Sequence, residues 1–380
     1  MNIVAIAGST IPSDTANSIQ VMKACSALTQ LGHNLTLIVP ENPQSKIVNR
    51  KSSIVNLKSH YGLQTEFPID WLSISSRRLF TWQSFRRART LKPDLIYTWF
   101  PQSAVFGLLS GLPVIFEIHI QPTGLFGPTW HHTFANLSGK KRVVSITYAL
   151  VNILEHNYKM RFRPEEVVIA PNGVDLERFA SLPDPVTARR QIGLREVPTV
   201  MCTGHLYAGR GTDLFLSLAK SIPHAHFVWV GGRPEDVNIW KHKAKTENIS
   251  NITFIGFIPN NDLPLYQAAA DILLMPYSRS IMGSSGTADS VSVASPMKMF
   301  EYMAAGRGIV SADLPVIREV LNERNAVFCA PNEIGDWRLE IERLLEDESR
   351  RTQLGNQARL DVEGYTWLAR EEKVLEGFIG

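Results

Sequence analysis

The feature that most constrains this chain is a regular alternation of strand-length apolar runs with longer helical patterns. One series starts with a strand at residues 3–7 and a helix at about 16–31, and a second starts with a strand at 199–203. Repeated strand–helix units with nearly continuous apolar strands are typical of parallel sheets covered on both faces. We therefore predict an α/β protein with two Rossmann-like, doubly wound parallel-sheet domains. Further strands are predicted at 35–39, 95–97, 114–117, 142–145, 167–170, 227–230, 252–255, 272–275 and 308–311, and further helices at 212–221 and 298–305.

The domain division follows from the point at which the pattern restarts. A loosely patterned stretch near 180–195 separates a first domain, residues 1–180, from a second, residues 195–364. The amphipathic segment 365–380 either completes the second domain or crosses back to the first. Ligands of such sheets bind beyond the carboxyl ends of the strands, so a cleft that the two domains face is the expected binding site.

Composition limits the class of protein and its surroundings. Hydrophobic residues make up 44% of the 380 residues and charged residues 20%, which indicates a globular chain rather than a disordered or collagen-like one. The three cysteines, Cys25, Cys202 and Cys329, are far apart, which favours reduced thiols and a cytoplasmic location. The first residues, MNIVAIAGST, have no basic region and fit a strand better than a signal peptide.

Charge is distributed unevenly along the chain. Residues 1–175 contain 17 Lys and Arg against 10 Asp and Glu, whereas the rest contains 22 against 26. A basic first half could meet an anionic membrane surface or an acidic acceptor, or it could serve solubility alone. The segment 76–92 combines basic and aromatic residues at helical spacing, which fits peripheral membrane contact or a surface helix with its aromatic side chains in the core. No nucleic-acid motif accompanies the charge, so no nucleic-acid partner is expected.

Two candidate motifs of the first series lie directly after the carboxyl ends of predicted strands. The loop after the first strand, which includes Gly8 and Asn17, could turn backbone N–H groups toward a ligand at a helix N-terminus, or could simply cap that helix. It lacks the G-x-G-x-x-G dinucleotide fingerprint. His119 follows a buried strand and would point toward the cleft. It is either a functional residue or a histidine with a purely structural role.

Two further motifs belong to the second series. In the loop 204–211, Arg210 stands between glycines just before a helix, where a guanidinium suits a diphosphate or is simply solvated. In the segment 295–306, Pro296 lies near a helix start, which leaves N–H groups for phosphate oxygens. Glu301 lies within that helix, and a carboxylate can accept two ribose hydroxyls at once.

Together these motifs resemble a retaining glycosyltransferase of the GT-B fold, in the family 4 type. The resemblance implies that His119, Arg210 and Lys298 are catalytic, with His119 near the transferred sugar and both cations at the donor diphosphate. It also implies that segment 365–380 is a terminal helix that crosses back to the first domain. The segments in family order are 8–31, 114–119, 172–175, 204–211, 256–259, 270–276 and 295–306. The implied donor-binding residues are Gly8, Asn17, His205, Gly256, Phe257, Ile258, Ser295, Pro296, Met297 and Glu301.

The chain departs from the family pattern at three positions. Arg210 stands where the family usually has Lys and keeps the charge, whereas His205 stands where it usually has Arg. The third departure concerns the donor sugar. The first glutamate of the family's E-x7-E motif would stand eight residues before Glu301, but Val293 occupies that place. Asp289, Ser292 or Ser295 could substitute for its contacts to the donor sugar.

The resemblance implies a hexosyltransferase-type enzyme, EC 2.4. It would move a sugar from a UDP- or GDP-sugar to an acceptor hydroxyl in glycan, glycolipid or glycoconjugate synthesis. The family generally needs no essential metal or other cofactor, and none is expected here. Two alternatives remain: a nucleotide-sugar epimerase of the same fold, and an inactive nucleotide-sugar-binding subunit.

Overall fold

A computed structural model describes residues 1–41, 57–73, 77–280 and 291–378. The chain forms two compact units. Unit 1 comprises Met1–Asn172 together with Trp367–Gly380, and unit 2 comprises Gly173–Thr366. Residues 173–180, assigned to the first domain from the sequence, therefore belong to unit 2, where the Val174 amide donates to the Tyr365 carbonyl at 3.0 Å.

Unit 1 is built on a parallel sheet that has seven strands among the described residues, in the order β3-β2-β1-β4-β5-β6-β7. Strand β1, which lies between β2 and β4, reads NIVAI and is almost fully buried, as expected for a strand covered on both faces. The strands are β1 Asn2–Ile6, β2 Asn34–Pro40, β3 Ile69–Leu72, β4 Leu95–Thr98, β5 Val114–Ile118, β6 Lys141–Ser145 and β7 Val167–Ile169.

Helices cover this sheet between its strands. The helix Tyr148–His156 begins where the Thr147 side chain accepts a hydrogen bond from the Leu150 amide, a standard helix N-cap. The described helices of the first segment are α1 Ala16–Gln30, α2 Leu57–Tyr61, α3 Arg77–Thr90, α4 Pro101–Leu109, α5 Gly127–Asn136 and α6 Tyr148–His156.

The C-terminal segment completes the core of unit 1. Residues Val374, Leu375 and Phe378 are buried in the same hydrophobic cluster as Ile3 and Val21. The helix that carries the first two of these residues spans Trp367–Leu375 and is called α15 below.

Unit 2 has a second parallel sheet, with six strands among the described residues, in the order β10-β9-β8-β11-β12-β13. Its strands are β8 Thr199–Thr203, β9 His226–Val230, β10 Ile252–Gly256, β11 Ile272–Met275, β12 Gly308–Ala312 and β13 Val327–Cys329. Its described helices are α7 Pro185–Gln191, α8 Thr212–Ser221, α9 Pro234–Thr246, α10 Leu263–Ala268, α11 Met297–Ala305, α12 Pro315–Arg318, α13 Ile334–Glu346 and α14 Glu348–Asp361. The predicted pair of parallel-sheet α/β domains is therefore confirmed.

Two strands, β3 and β13, were not predicted from the sequence. Strand β3 is only partly buried, and β13 is three residues long. Each lies at the edge of its sheet, where a short run of apolar residues is enough to complete the pairing.

Candidate functional site

The loop between β8 and α8 is folded tightly against neighbouring backbone. Gly211 has a φ of +85°, and a Cβ at this position would lie 1.8 Å from the carbonyl oxygen of Pro276. A Cβ on Gly231 would lie 2.5 Å from the carbonyl oxygen of Gly204. Only glycine permits such close approach. The loop is therefore fixed beyond the carboxyl ends of β8, β9 and β11, the edge at which parallel sheets bind ligands.

Arg210 lies in this loop beside Tyr277. Its guanidinium carbon is 5.4 Å from the centroid of the Tyr277 ring, and Nη1 donates to the tyrosine hydroxyl at 3.3 Å. Within the described residues, the buried Nε of Arg210 has no hydrogen-bond partner. The arginine is thus oriented by an aromatic ring, with donor capacity to spare.

Lys298, in the first turn of α11, approaches the same ring. Its Nζ lies 5.2 Å from the Tyr277 centroid and 5.9 Å from the Trp229 centroid, and it donates to Cys202 Sγ at 3.6 Å. In the described ranges, no carboxylate lies within ion-pair distance of Lys298 or Arg210. Two cations therefore share one ring without an anionic partner from this part of the chain, which suits a ligand that carries phosphate groups.

Glu301 lies on α11, one turn after Lys298, so both side chains share a helix face. The carboxylate is largely buried, and its Oε2 accepts a hydrogen bond from Gln267 Nε2 at 3.2 Å. Its neighbour Tyr302 ties the helix to β8, because the Thr203 amide donates to the tyrosine hydroxyl at 2.7 Å. The structure thus brings Arg210, Lys298 and Glu301 to the same end of the unit 2 sheet.

The start of α11 carries three more of the predicted donor-binding residues. Pro296 is the N-cap residue, with extended backbone, and Met297 is the first helical residue. Ser295 is buried just before them. Since the described structure shows no side-chain cap on this helix, its amino end keeps the partial positive charge that favours an anion.

The remaining predicted donor-binding residues of unit 2 lie in loops beyond the neighbouring strands. His205 stacks on Tyr207 with 4.9 Å between ring centroids. Gly256 ends β10 with a φ of +95°, and its carbonyl accepts from the Gly231 amide at 2.7 Å. Phe257 is 46% exposed, and Ile258 is partly buried.

Val293, at the position of the first family glutamate, is a core residue and is 1% exposed. Ser292 is exposed and Ser295 is buried. Asp289 lies outside the described residues. The structure therefore places an apolar side chain where the family has a carboxylate.

Gly8, Asn17 and His119 belong to unit 1. Gly8 follows β1, and a Cβ there would lie 2.4 Å from the ring of Phe100. Asn17, in the first turn of α1, accepts a hydrogen bond from the Ser9 hydroxyl. His119 directly follows β5, and its Nε2 lies 2.6 Å from Glu117 Oε1.

Sequence reasoning missed several residues around these positions. Nothing in the sequence marked Tyr277 and Trp229 as site residues, apart from their positions at or just after the ends of strands. Glu117 did have a signal, because a carboxylate inside an otherwise apolar strand requires a partner. Arg370 supplies that partner, 253 positions away in the chain and therefore invisible to local patterns.

The basic segment 76–92 forms α3, although Ser76 and the side chains of Arg77 and Arg78 lie outside the described part. Phe80 and Phe85 are buried, whereas Trp82 is 50% exposed and contacts Phe106 at 5.6 Å. Arg86, Arg87, Arg89 and Lys92 are exposed, and Arg87 pairs with Asp70 at 2.6 Å. Most of its aromatic surface thus belongs to the core, and its charge faces solvent.

Across the described ranges, the His, Cys, Asp and Glu side chains form no group of three or more that could hold a metal ion. The helices of the same ranges include none that is long and apolar enough to cross a bilayer.

Comparison with known proteins finds a matching family model for each unit. The model of Glycosyltransferase Family 4 matches residues 18–178, and the model of Glycosyl transferases group 1 matches residues 187–361. The structure of a glycosyltransferase from Rickettsia africae is similar with a TM-score of 0.76 and 13% identity, over 99% of this chain and 97% of that one. HepE of Anabaena, solved in complex with UDP-glucose, is similar with a TM-score of 0.72 and 16% identity, over 99% of each chain.

The curated relatives match at higher identity but over shorter stretches. A GDP-mannose-dependent phosphatidylinositol monomannoside mannosyltransferase of Mycolicibacterium smegmatis is 31% identical over 111 residues, 28% of this chain and 29% of that protein. A sulfoquinovosyl transferase of Arabidopsis thaliana is 22% identical over 312 residues, 74% of this chain and 56% of that protein. The matches thus span less than two-thirds of either relative. With both family models matched in order and the fold shared across its length, this chain belongs to the GT-B glycosyltransferases of the family 4 type.

Proposed function

We propose that this glycosyltransferase moves a sugar from a UDP- or GDP-sugar to an acceptor hydroxyl, with retention of the anomeric configuration. The observation that carries the proposal is the pair of cations, Arg210 and Lys298, on the Tyr277 ring. Neither has a carboxylate partner among the described residues, so a diphosphate is the natural counter-charge. One similar protein was solved in complex with UDP-glucose and another is a GDP-mannose-dependent mannosyltransferase, which supports this class of substrate.

The proposed mechanism assigns charge stabilisation to the protein. As the bond from the sugar to the diphosphate breaks, negative charge grows on the leaving phosphate, and Arg210 and Lys298 stabilise it. Glu301 accepts the ribose hydroxyls and thereby orients the donor. The acceptor oxygen bonds to the anomeric carbon on the face from which the phosphate departs, and the leaving phosphate takes the proton of the acceptor hydroxyl. Attack on that face gives retention. His119 would contact the sugar.

Turnover of variants tests this assignment. Arg210→Ala and Glu301→Ala should each lower kcat/KM at least about tenfold, because each removes a contact to the donor. Lys243→Ala is the matched control, since Lys243 pairs with Asp213 on the unit 2 surface at 2.5 Å and should leave kcat/KM unchanged. If both site variants retain normal turnover, the assignment is wrong.

Product analysis by NMR tests the reaction itself. An α-configured product from an α-configured donor is expected, and inversion would contradict the proposed stereochemistry. An epimerised nucleotide sugar formed without acceptor would favour the epimerase alternative.

We also propose that no metal or other cofactor is essential, so turnover should persist in EDTA.

We further propose that the enzyme works at the cytoplasmic face of a membrane and contacts it through α3. The support is a row of exposed cations, including Arg86, Arg89 and Lys92, beside the half-exposed Trp82. Co-sedimentation with anionic liposomes at low salt should deplete the protein from solution, and Arg86→Glu with Arg89→Glu should abolish this. Equal sedimentation of the variant would retire the membrane contact.

A further inference from the structure

A buried polar cluster in unit 1 surrounds the side chain of Glu117. Its Oε1 accepts from Gln20 Nε2 and His119 Nε2, both at 2.6 Å, and from Arg370 Nη2 at 2.5 Å. Its Oε2 accepts from the hydroxyl of Tyr97. The carboxylate thus joins α1, β4, the end of β5 and α15 through one side chain.

Glu117 is ionised in this cluster. Burial acts to raise its pKa, but Arg370, His119 and Tyr97 outweigh burial and lower the pKa to about 2. An ionised carboxylate has only acceptor sites. A neutral imidazole can approach it at 2.6 Å only through a ring N–H, so the proton of neutral His119 must lie on Nε2.

The His119 side chain is only partly buried, unlike its partner. The Glu117 side chain is fully buried, whereas that of His119 remains 20% exposed. We infer that Glu117 and Arg370 are positioning residues that hold neutral His119 as the Nε2–H tautomer, with Nδ1 available as a hydrogen-bond acceptor. Arg370 acts indirectly, because it balances the buried charge that fixes the ring.

This tautomer has a consequence for the reaction. Nδ1 can accept a hydrogen bond from a hydroxyl of a sugar, but cannot donate one while the ring is neutral. This consequence rests on the proposed sugar transfer, whereas the tautomer itself does not. The two can therefore fail separately.

NMR of protein labelled with ¹⁵N at histidine measures the tautomer directly, with His119→Asn used to assign the resonance. At pH 8, His119 should show a proton on Nε2 and a bare Nδ1. Glu117→Gln should shift the resonances toward a tautomer mixture, because an amide can donate as well as accept. Glu371→Gln is the matched control, since Glu371 is buried against the same Arg370 but, in the described part of the chain, forms no hydrogen bond with His119. It should leave the tautomer unchanged. A proton on Nδ1 in the unmodified protein, or no change in Glu117→Gln, overturns the inference.

Kinetics test whether the effect passes through His119. Glu117→Gln should lower kcat at least about tenfold, with less change in the KM of the donor. In a His119→Ala background the same substitution should cost little more, because the group that it positions is gone. A second full loss in that background would show a general structural role and contradict positioning. Absence of any transferase activity would refute the proposed function and leave the NMR result standing.

Discussion

Arg210 and Lys298 illustrate what single residues contribute to unit 2. Both cations lie over Tyr277, at 5.4 Å and 5.2 Å from its centroid. An aromatic face stabilises a cation without neutralising its charge. The pair therefore keeps its positive potential, and the donor diphosphate proposed above would offset the mutual repulsion of the two cations.

Gly211 gives a prediction at the same scale. Because a Cβ at this position would lie 1.8 Å from Pro276 O and the φ is +85°, Gly211→Ala should lower the free energy of unfolding by more than about 1 kcal/mol. Gly335→Ala is the control, since a Cβ there meets nothing within 4 Å. Urea unfolding measures both variants. Equal stability of the two would show that the loop is not packed as described.

His226 gives a prediction about pH. Burial lowers its pKa to about 4, with the nearby Arg195 and Arg189 adding to the effect. The folded protein therefore binds fewer protons there than the unfolded chain, whose histidine pKa is about 6.5. The resulting stability is complete above about pH 6.5 and is lost as the pH falls toward 4.

His226→Gln should therefore reduce the loss of stability between pH 7 and about pH 4.5, measured as the urea midpoint. His242→Gln, at an exposed position of α9, should leave the pH dependence as it is. Parallel curves for His226→Gln and the unmodified protein would contradict the explanation.

At the scale of elements, the local sequence pattern predicted the helices and strands whose bounds are determined by neighbouring residues. The helix predicted at residues 298–305 is α11, and Gly306 ends it with a φ of +64°. Partners across the chain could not be predicted in this way. The contact of Arg370 with Glu117 forms only because α15 packs in unit 1. The position of the Tyr277 ring depends on the pairing of β11 with β8, since Tyr277 follows β11.

The attachment of α15 gives the prediction at this scale. Arg142 Nη1 donates to the carbonyls of Val374 at 2.7 Å and Glu376 at 2.8 Å, and its guanidinium lies 4.9 Å from the Phe378 ring centroid. Arg142→Ala should cost about 2 kcal/mol of stability, because buried hydrogen bonds to a charged group are lost. Lys140 is exposed and lies 5.5 Å from the same ring, so Lys140→Ala should cost much less in urea unfolding. A similar cost for both variants would rule out this attachment.

At the scale of the whole molecule, each unit has its own sheet and its own part of the predicted chemistry. Unit 1 holds His119 on a buried charged cluster that needs the C-terminal helix. Unit 2 holds Arg210, Lys298 and Glu301, the residues predicted to contact the diphosphate and the ribose. The family models match one unit each, in the order of the chain.

Equilibrium binding of nucleotide sugars tests the central claim most directly. Calorimetric titration of the enzyme with a panel of UDP- and GDP-sugars should find at least one that binds. For that donor, Arg210→Ala and Lys298→Met should each weaken binding at least about tenfold, and Lys243→Ala should bind as the unmodified enzyme does. Failure of every nucleotide sugar to bind, or equal affinity in all four proteins, would contradict the claim that these two cations hold the donor diphosphate.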